Sequence, residues 1–255
     1  MDAIITAGGI PKPDEPLFVY TQGNSKALVD VAGKPMIQWI LDAISKAKKV
    51  ENVVIIGLDE SASLTCAKKL HYVPNQGGMV DNIRAGTQKV VDLNPSATHV
   101  LIVSSDIPTI SPEMVDWTVE TCLQTDHDMY YNVVERSVME SRFPGSNRTY
   151  TKLKGIQVCG GDMNVVKTWV VLSQRGLWNR LEASRKNVLK QASLVGFDTL
   201  FMILFRLVDL AGAEKQVSKR MGLKARAVMC PYAEIGMDVD KPNQLEMLRA
   251  DLSGK

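Results

Sequence analysis

The chain has 255 residues, is 45% hydrophobic and 23% charged, and suits one large α/β domain. Its net charge of +2 is too small to argue for nucleic acid or an anionic membrane as partner. The four cysteines, Cys66, Cys122, Cys159 and Cys230, show neither zinc-motif nor disulfide spacing, and such scattered thiols suit the cytoplasm.

Ala3 to Thr6 reads as a short buried strand that runs into Ala7-Gly8-Gly9. Gly8 to Gly23 contains three prolines and reads as a loop. Pro35 opens a helix with Met36, Ile37, Ile40, Leu41 and Ile44 at helical spacing. Val53 to Gly57 is a second strand. The spacing predicts a helix over Ser61 to Leu70 and a short strand at Tyr72-Val73-Pro74. Gly77-Gly78 leads into a helix carrying Ile83, Val90, Val91 and Leu93. His99 to Ser104 is a third strand, followed at once by Ser105-Asp106-Ile107-Pro108. Ser111-Pro112-Glu113 opens another helix, and Asp128 to Val134 is a fourth strand. The alternation predicts a parallel sheet with helices on both faces. Ligands on such sheets bind outside the carboxyl ends of the strands. Gly8-Gly9, Gly77-Gly78 and Asp106 all fall at such ends.

Beyond Val134 the pattern changes. Arg142 to Lys154 is polar, basic and aromatic. Gly155 to Asn164 reads as a strand ending in the pair Gly160-Gly161. Thr168 to Leu223 is mostly helical, an insertion within a single domain of residues 1–255. It is placed to shape the acceptor side of a site or a homo-oligomer contact. Inside it, Val195 to Leu210 reads as a buried helix, because Asp198, Arg206 and Asp209 interrupt it as a membrane span. Ala225 to Cys230 is the last strand and Asn243 to Leu252 a closing helix.

Gly8-Gly9 permits close backbone approach to a ligand. There is neither a G-x-G-x-x-G nor a G-x-x-x-x-G-K-[ST] pattern, which disfavours dinucleotide and P-loop sites. Asp106 follows a buried strand, where a carboxylate needs a partner or a cation. A Mg²⁺ ligand is favoured there over a turn former. Asp238 and Asp240 suit either a shared metal or a solvated acidic turn; Asp106 with Asp240 is the pair favoured for the ion. Lys26 sits between loop and ordered chain, where it could reach phosphate. Lys12, Lys152, Lys154, Arg142 and Arg148 read as surface charges, and His71, His99 and His127 form no motif.

Five segments together resemble the MobA-like nucleotidyltransferases. They are Ala7-Gly8-Gly9; Lys26 to Ile37, which includes Gly33-Lys34-Pro35; Gly78 to Asn82; Ser105 to Pro108; and Asp238 to Leu245. The superfamily includes molybdenum-cofactor guanylyltransferase, sugar-phosphate nucleotidylyltransferases and cytidylyltransferases. The resemblance implies a Rossmann-like three-layer α/β/α fold with a mostly parallel mixed sheet. It also implies roles: Ala7, Gly8 and Gly9 hold the nucleotide, Lys26 binds triphosphate, and Gly78 and Asn82 lie near base and ribose. Asp106 and Asp240 would hold Mg²⁺, and Gly161 and Asn164 resemble the acceptor-side segment. The family usually continues after Gly-Gly with a further glycine and an arginine. Here Ile10-Pro11-Lys12-Pro13 follows, no arginine precedes Arg84, and Lys12 is the substitute.

The implied activity is transfer of a nucleoside monophosphate from an NTP to a phosphorylated small molecule, with release of pyrophosphate. Two other readings stand beside it. One is a metal-dependent glycosyltransferase, which the D-x-D form of Asp238-Val239-Asp240 suggests. The other is a non-catalytic nucleotide sensor, which the absent loop arginine suggests.

Overall fold

A computed structural model of the chain describes residues 1–173, 176 and 208–254. The first half contains β1 (Asp2–Thr6), α1 (Phe18–Thr21), β2 (Asp30–Val31), β3 (Lys34–Pro35) and α2 (Met36–Lys46). It continues with β4 (Asn52–Ile56), β5 (Lys69–Val73), α3 (Met79–Leu93), β6 (His99–Ser104) and α4 (Pro112–Cys122). Then come β7 (Met129–Glu135), α5 (Arg136–Arg142), β8 (Thr151–Leu153), β9 (Ile156–Gly160), β10 (Met163–Lys167) and α6 (Thr168–Ser173). The last described elements are α7 (Leu210–Met221), β11 (Ala225–Cys230) and α8 (Pro242–Leu252).

The main sheet runs β5-β4-β1-β6-β10-β7-β9-β8, and β11 also pairs with β7. β5, β4, β1 and β6 are mutually parallel, β11 is parallel to β7, and β10 lies antiparallel between β6 and β7. This is the mixed, mostly parallel sheet expected. Its two faces carry separate apolar layers. One joins Ala3, Ile5, Val53 and Ile55 to the buried face of α2 (Met36, Ile37, Ile40, Leu41, Ile44) and to Leu245 and Leu248 of α8. The other joins Ile4, Val54 and Ile56 to Val80, Ile83 and Val90 of α3 and to Val170 of α6. Alternation along β1 and β4 feeds both layers, which is why these strands are apolar throughout. Each fully buried Ile or Leu contributes about 1.5–3 kcal/mol.

Two expectations are corrected by the structure, and a third is extended. Ser61 to Leu70 is not a helix. Only Glu60–Ala62 makes a single 3₁₀ turn, capped by Asp59, and Ser63 at φ 51° ends it. Leu70 instead enters β5, opposite Val53 of β4. Sheet pairing at the edge outweighs the local helical preference. The loop from Gly8 to Gly23 is not wholly irregular, since α1 forms near its far end. The strand read at Gly155 to Asn164 does stop at its glycine pair, since β9 ends at Gly160, but a further strand, β10, starts at Met163. β9 pairs with Val133 to Glu135 and β10 with Met129 and Tyr130, so the two run along one edge of β7 as one strand broken at Gly161-Asp162. Such a bulge re-aims the chain between the two strands.

Of the helical insertion from Thr168 to Leu223, α6 and α7 are described. Most of the predicted helix from Val195 to Leu210 lies outside the described residues. Among the described residues, no helix is long and apolar enough to cross a membrane.

Candidate active site

The site is assembled at the carboxyl ends of β1 and β6 by loops that are stitched to one another. Ser25 donates its hydroxyl to the Ala7 carbonyl at 2.6 Å and accepts from the Ala27 amide at 3.2 Å. It thereby caps a 3₁₀ turn over Lys26–Leu28. The Lys26 amide donates to the Gly9 carbonyl at 2.8 Å. The long loop after β1 therefore closes on itself and fixes Lys26 beside Gly9.

Gly8 is constrained from two sides. The Asn75 side-chain amide donates to the Gly8 carbonyl at 3.0 Å. Gly57, at φ 98°, lies so close that a Cβ there would fall 2.3 Å from Gly8 Cα. Only glycine at position 57 permits this approach.

Asp106 ends the segment after β6 and is buried. The Val239 amide donates to its carbonyl at 3.0 Å, which brings the C-terminal acids beside it. The Gln244 side-chain Oε1 accepts from the backbone amides of Asp240 and Lys241, both at 2.9 Å, and its NH₂ donates to the Ser146 carbonyl at 3.1 Å. One oxygen from each of Asp106, Asp238 and Asp240 lies within 4.8 Å of the others. Lys26 Nζ sits 2.6 Å from Asp106 Oδ2 and 3.0 Å from Asp240 Oδ1. Burial opposes the charge on Lys26, but the two carboxylates prevail and hold its pKa above the usual lysine range. Asp106 Oδ1 is buried without a hydrogen-bond partner.

Two further residues enter the cluster. Arg148 pairs with Asp238 and lies 3.8 Å from an oxygen of Asp162. It is therefore not a surface charge, as the sequence suggests, but a mostly buried cation facing these acids. Asp162 sits in the break between β9 and β10. Its carbonyl accepts from Ser104 and its amide donates to Ile235. Burial and the charge of Asp106 raise its pKa, against the pull of Arg148. Asp162 was readable as an acid beside a glycine pair at a strand end, the pattern that also marks this edge of the sheet. Arg148 lacks any such local mark.

The remaining predicted residues are placed as follows. The Asn82 side-chain Oδ1 accepts from the Gln76 backbone amide at 2.6 Å, and its NH₂ donates to Asn75 Oδ1 at 3.1 Å. It holds the loop that precedes Gly78, which is the residue before α3. The Asn164 side chain accepts from the Asn132 amide and donates to the Gly161 carbonyl, both at 2.8 Å. Gly161 and Asn164 thus build the bulge that carries Asp162. Lys12 is exposed on the loop after β1, and Arg142 pairs with Glu234 and Asp251. Lys152 and Lys154 line a cleft with Glu135, Arg136 and Glu140 that shares no residue with the acid cluster.

The arrangement offers hard carboxylate oxygens for a cation, a buried ammonium for polyphosphate and closely approachable backbone. The chain is 26% identical over 253 residues to 3-deoxy-manno-octulosonate cytidylyltransferase of Geotalea uraniireducens, covering 90% of this chain and 93% of that protein. A hypothetical transferase structure from Thermus thermophilus superposes with TM-score 0.81 at 31% identity, covering 96% of this chain and 98% of that one. A CMP:2-keto-3-deoxy-manno-octonic acid synthetase complexed with CTP superposes with TM-score 0.62 at 15% identity, covering 99% and 98%; at that identity it shows the shared fold. The family model for the MobA-like NTP transferase domain matches residues 3–194, and the chain belongs to that family of nucleotidyltransferases.

Proposed function

We propose that the chain transfers a nucleoside monophosphate from an NTP, with CTP the first candidate, to a small phosphorylated acceptor and releases pyrophosphate. The observation that carries this reading is the meeting of Lys26 with Asp106 and Asp240 at the carboxyl edge of the parallel strands. CTP is put first because the full-length relative is named a cytidylyltransferase and one structural neighbour is complexed with CTP.

The donor set fits Mg²⁺. It is all oxygen, its atoms are close together, and Asp106 Oδ1 is buried and unpartnered. Asp106 and Asp240 would hold the ion, with Asp238 beside them. When bound, Mg²⁺ neutralises charge on the phosphates as the bond to pyrophosphate breaks.

The chain's own residues do the rest. Ala7, Gly8 and Gly9 bring backbone to the nucleotide, and Lys12 adds charge from the loop. Asn82 holds the turn before Gly78, against which base and ribose rest. Lys26 binds the outer phosphates and stabilises the pyrophosphate as it leaves. Gly161 and Asn164 shape the acceptor side. The acceptor phosphate is itself the nucleophile, so no protein nucleophile is required.

Family membership favours this reading over glycosyl transfer. Melting curves with Mg²⁺ and each of the four NTPs, followed by pyrophosphate-release assays on small phosphorylated acceptors, test it. CTP with Mg²⁺ is expected to raise the melting temperature, and wild type but not Asp106→Asn to release pyrophosphate. Stabilisation by an NTP without turnover on any acceptor would favour the sensor. No stabilisation by any NTP would sink both readings.

A further inference from the structure

Lys26 already occupies the carboxylates that the reading above assigns to Mg²⁺. Its ammonium lies 2.6 Å from Asp106 and 3.0 Å from Asp240, and its side chain is only 17% exposed. The position is built in, because the Lys26 amide is tied to Gly9 and Ser25 caps the turn that carries it. On the acid side, the Val239–Asp106 backbone bond and Gln244 fix Asp106 and Asp240.

We infer that Lys26 is a place-holding cation, which keeps free divalent metal out of the acid cluster and admits it only together with a polyphosphate. This rests on the metal-site reading above.

The physical reason is a competition of charges. Asp106, Asp162, Asp238 and Asp240 gather here with Lys26 and Arg148, so the cluster attracts cations. A metal ion arriving alone must displace the ammonium from both carboxylates and leave it without a counter-charge in a poorly solvated place. A triphosphate removes that obstacle, since its outer oxygens give the ammonium a new partner while the ion takes the carboxylates. Metal and polyphosphate then bind with positive coupling, and the coupling is reciprocal. The same lysine opposes a metal that arrives alone and supports the phosphates when both bind.

Mn²⁺ binding, followed by electron paramagnetic resonance with and without inorganic tripolyphosphate, tests this without requiring a base or an acceptor. In wild type, Mn²⁺ alone is expected to bind weakly, and tripolyphosphate to strengthen binding at least tenfold beyond its own affinity for Mn²⁺. Lys26→Met should bind Mn²⁺ alone at least tenfold more tightly than wild type and lose most of the coupling. Lys26→Arg, which keeps the cation, should behave as wild type. Adding Asp106→Asn to Lys26→Met should abolish the gained affinity. If Lys26→Met is unstable, melting of wild type decides: Mn²⁺ alone should leave the melting temperature unchanged, and Mn²⁺ with tripolyphosphate should raise it.

Equal Mn²⁺ affinity in wild type and Lys26→Met, abolished in both by Asp106→Asn, would keep the metal site and overturn the place-holder. Mn²⁺ binding that is indifferent to Asp106→Asn in every background would overturn the metal site, and the place-holder with it.

Discussion

The amide of Val239 donates to the carbonyl of Asp106 at 3.0 Å, so the two parts of the acid cluster are joined through backbone as well as facing each other. Side-chain chemistry at position 106 can therefore change without parting the loops. Asp106→Asn is expected to lower turnover on the order of a hundredfold or more, the scale seen when one preorganised electrostatic group is removed. The melting temperature should move by no more than a few degrees, because Lys26 keeps Asp240 as partner. Steady-state pyrophosphate release and a melting curve on the same preparation check both halves.

Arg148 has the opposite profile. Its side chain and that of Asp238 are each 13% exposed, and they pair with one another. Arg148→Met leaves Asp238 buried without its counter-charge, a change that costs about 3–5 kcal/mol. Urea unfolding should show this as a lower midpoint with unchanged slope. Arg148→Lys should recover part of the loss but not all of it, because an ammonium cannot fork between Asp238 and Asp162.

Gly57 can be tested against a matched control. Gly23 shares its left-handed backbone, with φ 87°, but a Cβ there meets nothing within 4 Å. Gly23→Ala should cost about 1–2 kcal/mol from conformation alone. Gly57→Ala adds a collision with Gly8, so it should cost more than about 2 kcal/mol. It should also weaken NTP binding, because Gly8 must move. A calorimetric titration with CTP and Mg²⁺ separates the two variants.

Thiol chemistry reports on the core. Burial pushes the Cys122 and Cys230 thiols up to about 12, and raises Cys159 as well. A raised folded-state value means that the neutral thiol favours the folded chain. That contribution is full below the ordinary thiol value of 9.0 and is lost as pH climbs through about 12. At about pH 8, a disulfide reagent should modify the half-buried Cys66 readily and the other three only after denaturation. Fast labelling of Cys122 in the native protein would contradict the packing described.

Part of this could be read from residue order, and the reasons are local. Asp106 stood out because a carboxylate directly after an apolar strand is costly unless something uses it. Lys26 stood out because it ends an irregular segment just before an ordered one. Both marks are contiguous in sequence, and the structure brings these residues to one place with Asp240. Arg148 was not legible in this way, and Asp162 carried only the weaker mark of its place beside a glycine pair. Their importance comes from a pairing between a polar loop and a kink in a strand, and neither half announces the other. β10 was hidden for a related reason, since Gly160-Gly161 looks like a strand terminator when the neighbouring β6 and β7 are not in view. Of the edge strand β5, Tyr72 and Val73 were legible but its start at Lys69 and Leu70 was not, because Ser61 to Leu70 mimics a helix until the cap at Asp59 and the turn at Ser63 are known.

The break at Gly161-Asp162 acts as a register lock between the two halves of the molecule. On its C-terminal side, Met163 and Val165 fill one apolar layer while Val166 fills the other. Deleting one residue at the break would carry each of them to the opposite face. On its N-terminal side, Cys159 fills the first layer, and β9 keeps its own register against Val133 to Glu135 of β7. The kink therefore sets the phase between two stretches of strand that the sheet fixes separately, and Asp162 stands on the dividing line.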